Sequence, residues 1–144
     1  MEYVLVKYLH LLGVFVLFST LVIEHVLVKP EMSNADLKKI SAIDLIYGLS
    51  VLVVLTAGLS LWFLVGKPSG FYSSNPVFHI KVGLFLLIGL LSIYPTAFFL
   101  KNRKSSASVI VVPKAVAMFI RVELLFLVLI PLLAVLMAQG YGLT

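Results

Sequence analysis

Residues 3–30 read YVLVKYLHLLGVFVLFSTLVIEHVLVKP, and from Leu9 to Val28 the only charged or imidazole side chains are His10, Glu24 and His25. A helix rises 1.5 Å per residue, so about 20 apolar residues cross a hydrocarbon core of ~30 Å. The run is too long for the apolar region of a signal peptide and no A-x-A-like cleavage site closes it, so it reads as a retained first span. What the segment leaves open is why Phe18 to Pro30, built for hydrocarbon, keeps a carboxylate and an imidazole side by side.

Outward from this run the same pattern recurs three times. The spans are expected near Tyr3–Val28, Ile43–Val65, Pro76–Leu100 and Ala115–Gln139. The chain has 144 residues, 62% hydrophobic and 12% charged, with a mean hydropathy of +1.17. A soluble core of this size cannot hide so much apolar surface, so the lipid bilayer is the solvent. The expected architecture is all-α: an integral membrane four-helix bundle, up-down-up-down, forming a single domain over residues 1–144.

There is no cysteine. Thiolate metal sites, iron–sulfur ligation, covalent haem attachment and disulfides are excluded together, and any metal or cofactor must use His, Lys, carboxylates or Met. The net charge of +5 sits mostly in short connectors beside apolar spans, where Lys and Arg orient a membrane protein rather than bind nucleic acid.

The first connector, KPEMSNADLKKISA (29–42), has Pro30 as a stop and Ser33 or Asn34 as an N-cap for a short helix carrying Lys38 and Lys39. The second, GKPSGFYSSNP (66–76), places Phe71 and Tyr72 at a membrane interface. The third, KNRKSSASVIVVPK (101–114), holds Lys101, Arg103, Lys104 and Lys114, the strongest topological signal in the chain. Under the positive-inside rule the first and third connectors are cytoplasmic, giving N-out, C-out in a bacterial inner membrane. Gly13, Gly48, Gly58, Gly83 and Gly89 offer small positions for close helix approach.

The ionisable residues sort by depth into two tiers. His10, His79 and Lys81 fall in the outer half; Glu24, His25, Asp44, Arg121 and Glu123 fall in the inner half. Intramembrane charges point to function, weighed against snorkelling. Arg121 can snorkel towards the cytoplasm, whereas Glu123 is deeper and shorter and needs a partner or a proton. Residues two apart face opposite sides of a helix, so Arg121 does not pair with Glu123, and only one of His79 and Lys81 points into the bundle.

His10 shares a helix face with Leu17, Leu21 and Glu24, with Gly13 beside it. That face suits either a haem edge or a histidine hydrogen-bonded to a neighbouring Ser, Thr or carbonyl. For Glu24, His25 and Asp44 the alternatives are a proton or ligand site, or a headgroup-level helix end with Asp44 as a capping carboxylate. Catalytic residues are not assignable: no nucleophile–base set, phosphate loop or H-E-x-x-H helix is present.

The stretches YLHLLGVFVLFSTLVIEHVLVKPE, DLIYGLSVLVVLTAGL, VGKPSGFYSSNPVFHIKVGLFLLIGLLSIYPT and ELLFLVLIPLLAVLMAQGYG resemble a family of small four-helix bacterial inner-membrane proteins of unknown function. More distantly, Tyr8-Leu9-His10, the His79-x-Lys81 pair, and Arg121 with Glu123 resemble the HemJ-type membrane protoporphyrinogen IX oxidase. That resemblance implies haem b, with His10 as an axial iron ligand and His79 or Lys81 as the second ligand or a propionate contact. Lys7, Lys67 and Lys81 would hold propionates, with a quinone or porphyrin as redox partner. The expectation from another class is a cofactor-free transporter, channel or accessory subunit using the buried carboxylates, assembled as a homo-oligomer if it transports.

Overall fold

The computed structural model describes residues 2–63, 76–105 and 107–139. Within them lie α1 (Glu2–Leu27), β1 (Glu31–Ser33), α2 (Asn34–Phe63), α3 (Pro76–Asn102), β2 (Val109–Val111) and α4 (Lys114–Ala138). All four helices are long and apolar enough to cross a membrane. The second connector, with Lys67, Phe71 and Tyr72, lies outside the described residues.

Their outward faces are as apolar as their inward ones. Phe15, Val26 and Leu90 are 66%, 69% and 66% exposed, which water would penalise and lipid does not. The chain is an integral membrane protein.

α1 lies along α2 and α3 lies along α4; the two hairpins meet through α2 with α3 and α1 with α4. The helices therefore run round the bundle in chain order, with α2 and α4 diagonally opposed. In lipid the drive for association is close packing and hydrogen bonding rather than removal from water. The α1–α2 contact shows this at Gly13, where an added Cβ would lie 2.9 Å from Val54 Cγ2 and 3.2 Å from Val53 Cγ1. Gly58 is the reciprocal position, facing the His10 ring. Gly48, Gly83 and Gly89, expected to serve the same purpose, would meet nothing within 4 Å.

The second helix begins nine residues before the expected Ile43. Ser33 Oγ accepts the Asp36 amide at 3.1 Å and caps it. From there to Tyr47 no Gly or Pro interrupts the chain, and Leu37, Ile40, Ser41, Asp44 and Tyr47 form one buried stripe at helical spacing. The short connector helix and the span are thus a single helix. Asp44 is its eleventh residue, so it is not a capping carboxylate.

The first and third connectors pair as a two-stranded antiparallel sheet, Glu31 opposite Val111, Met32 opposite Ile110 and Ser33 opposite Val109. The Val112 amide extends the pairing to the Pro30 carbonyl at 2.8 Å. Met32 and Ile110 turn inward and are buried, so the ribbon closes this end of the bundle against α2. Lys29, Lys38, Lys39, Lys101, Arg103, Lys104 and Lys114 all belong to this basic end.

Candidate functional site: a buried carboxyl cluster

Every helix sends a polar side chain into the basic-end half of the bundle. Glu24 stands in the last turn of α1, Asp44 and Tyr47 in the first half of α2, Thr96 near the end of α3 and Glu123 in the first half of α4. Glu24, Tyr47 and Glu123 are each 1% exposed, and Asp44 4%. Each follows from helical periodicity: Gly13, Leu17, Thr20, Leu21 and Glu24 form the buried face of α1, and Val116, Ile120, Glu123 and Leu127 that of α4.

The hydrogen bonds cross between helices. Thr96 Oγ1 donates to Asp44 Oδ2 at 2.6 Å, and the Tyr47 hydroxyl donates to Glu123 Oε1 at 3.1 Å. Glu24 and Asp44 lie close enough for their side chains to interact directly. A carboxylate has no donor, so a hydrogen bond between the two needs a proton on one of them. Because Asp44 also accepts from Thr96, the arrangement suits Glu24 as the acid and Asp44 as the acceptor.

Two carboxyl oxygens, Glu24 Oε2 and Glu123 Oε2, are buried without a hydrogen-bond partner among the described residues, as is Ser41 Oγ. A buried oxygen of this kind costs about 1–3 kcal/mol unless water or a proton satisfies it. Thr20 and Ser50, by contrast, are satisfied within their own helices, by the Val16 and Leu17 carbonyls and by the Tyr47 carbonyl.

Of the inner-tier residues expected from sequence, the fold unites Glu24, Asp44 and Glu123. It keeps His25 and Arg121 apart from them. Those two line a separate surface cavity of about 250 Å³ with Leu124, Leu125 and Val128 of α4, and Arg121 is exposed. The opposite orientations of Arg121 and Glu123 are those their spacing requires.

In the outer tier, the His10 ring is half-buried between α1 and α2. Its Nδ1 lies 3.3 Å from the Val54 carbonyl, and its Cε1 would be 3.5 Å from a Cβ at Gly58. With Nδ1–H donating to that carbonyl, Nε2 keeps its lone pair, which fits one axial position on haem iron. Lys81 lies within electrostatic range of His10. His79, two residues away on α3, is exposed and does not share the half-buried face of Lys81. Among the described residues no three His or carboxyl side chains form a metal-binding group.

A family model described as "Predicted membrane protein (DUF2214)" matches residues 2–142. The chain belongs to the DUF2214 family. No curated protein and no solved structure matches it. Membership carries the membrane assignment across nearly the whole sequence, and the expectation of an uncharacterised membrane family is met; it assigns no chemistry.

Two members of the cluster in this DUF2214 chain, Tyr47 and Thr96, are not legible in the sequence as site residues. A tyrosine and a threonine in apolar helices are ordinary, and only their contacts single them out. The available signal was the register of α2: Tyr47 lies three residues beyond Asp44 and shares its face.

Proposed function

We propose that this chain is a cofactor-free proton-handling membrane protein, whose Glu24–Asp44–Glu123 centre takes up and hands on a proton inside a four-helix bundle. It acts as a small proton-conducting protein or as the proton-carrying subunit of a larger membrane complex. The lysine and arginine distribution supports a bacterial cytoplasmic membrane with both termini outward and the carboxyl centre nearer the cytoplasm.

The observation that carries the reading is the burial together of Glu24, Asp44 and Glu123, with Glu24 and Asp44 close enough to share a proton and Glu24 Oε2 and Glu123 Oε2 without a hydrogen-bond partner among the described residues. A proton shared by two carboxyls leaves one oxygen from which it can depart and one at which another can arrive. Tyr47 ties the third carboxyl to the group and can donate or accept in turn. The carboxyls do not form a metal-ligating group among the described residues, which favours a proton over a metal cation.

The test is an infrared difference spectrum of the protein in lipid between acid and alkaline buffer, paired with a pH-dye flux assay in liposomes. A protonated-carboxyl band that disappears in Glu24→Gln, with helix content unchanged, supports the centre; flux lost in the same variant supports conduction by this chain alone. A spectrum with no titrating carboxyl, or one identical in Glu24→Gln, overturns the reading.

Haem b is the second reading, favoured by the free Nε2 of His10. An absorption spectrum of the purified protein, oxidised and dithionite-reduced, decides it: a Soret band lost in His10→Ala supports it, and no band after haem supplementation removes it.

A further inference from the structure

The basic end carries a cavity of about 400 Å³ that the carboxyl centre does not use. It is lined by Lys38 and Ala42 on α2 and by Arg103, Lys104 and Ser105 just past the end of α3. Lys38 and Ala42 are one turn apart, so the small Ala42 leaves open the space beside the lysine. The facing wall is held in place: the Arg103 amide donates to the Phe99 carbonyl at 2.9 Å, the Ser105 amide to the Asn102 carbonyl at 3.0 Å, and Asn34 Nδ2 to the Ser105 carbonyl at 2.5 Å.

Three cations line this cavity and no carboxylate does. None of them forms an ion pair among the described residues. The carbonyls at the end of α3 attract Arg103 and Lys104, but Lys38 stands near the positive N-terminal end of α2 and gains nothing from its own helix. The volume is within the ~300–1,000 Å³ range of small-molecule sites. Both helices that frame it cross the membrane, so the cavity opens at the level of lipid headgroups.

We infer that this cavity is a binding site for a phosphate group, supplied by the headgroup of an anionic phospholipid. Arg103 offers a planar fork that matches two phosphate oxygens, and Lys38 and Lys104 supply point charges from either side. The Ser105 hydroxyl, which accepts the Ala107 amide at 3.1 Å, keeps its proton to donate to the ligand. A lipid so held would tie the start of α2 to the end of α3 at the same end as the β1–β2 ribbon.

The experiment is native mass spectrometry of the detergent-purified chain with phosphatidylglycerol or phosphatidylcholine, alongside thermal unfolding in inorganic phosphate. At about a fivefold loss per cation at a membrane surface, Arg103→Ala/Lys104→Ala lowers phosphatidylglycerol affinity about thirtyfold. Lys29→Ala/Lys114→Ala, which removes two exposed cations outside the cavity, leaves affinity near that of the unaltered chain. Inorganic phosphate that displaces the lipid and raises the unfolding midpoint only when Arg103 and Lys104 are present keeps the phosphate site but assigns it to a soluble ligand. Equal losses in the two double variants, or no preference for phosphatidylglycerol with no phosphate effect, overturn it. Should the cavity variant lose helix content, Lys38→Gln carries the same comparison.

Discussion

The Tyr47 hydroxyl of α2 donates to Glu123 Oε1 of α4 at 3.1 Å, across the diagonal of the bundle. Each hairpin contributes one partner, so this bond joins the two halves where helix packing does not. Glu123 Oε2 already lacks a partner, which makes Tyr47 the sole donor to that carboxyl among the described residues. Tyr47→Phe is expected to lower stability by about 1–3 kcal/mol, since it strands a second buried oxygen while conserving volume. Thermal unfolding in one fixed detergent measures it; an unchanged midpoint would mean that Glu123 finds water or another donor.

Glu24 separates proton chemistry from packing. Glu24→Gln keeps size and a donor towards Asp44, so a change of less than about 1 kcal/mol is expected. Glu24→Ala leaves Asp44 with Thr96 alone and opens a void, for a loss of about 2–4 kcal/mol. Equal effects of the two variants in unfolding experiments would argue that the Glu24–Asp44 hydrogen bond does not form.

Gly13 and Gly48 give a matched pair of glycine tests. At Gly13 a methyl group meets Val54 Cγ2 at 2.9 Å, and the stiff β-branched valine cannot swing aside, so Gly13→Ala costs about 1–3 kcal/mol. Val54→Ala in the same chain restores part of that loss. Gly48 has open space, and Gly48→Ala stabilises the helix by about 0.5–1 kcal/mol. Unfolding midpoints in the reverse order would disprove the α1–α2 register.

The ribbon can be checked by cross-linking, because the chain has no native cysteine. Ser33→Cys with Val109→Cys places two thiols at directly opposed strand positions and is expected to form a disulfide under mild oxidation. Ser33→Cys with Val111→Cys is out of register and serves as the control. Proteolysis within the intervening sequence and a non-reducing gel distinguish them, and equal cross-linking of both pairs would show that the connectors are not held as a sheet.

The sequence by itself determined the solvent, the number of spans and the inward face of α1, because each depends only on local apolar length and helical period. His10, Gly13, Leu17, Leu21 and Glu24 share one face whatever the partners are, and Arg121 and Glu123 must diverge for the same reason. The charges of Lys38 and Lys39 set a short connector helix apart from the span expected at Ile43, whereas the structure makes them one helix. In fact Leu37 and Ile40, on the other face, bind that segment to the bundle.

Only the tertiary structure decided which polar residues meet. Glu24, Asp44, Thr96 and Glu123 lie on four different helices, and their hydrogen bonds depend on how those helices are rotated and staggered, which no local period encodes. The three-residue strands belong to the same class. A strand of three residues is stable only with its partner, and Glu31–Ser33 meets Val109–Val111 because the bundle brings two distant connectors to one end.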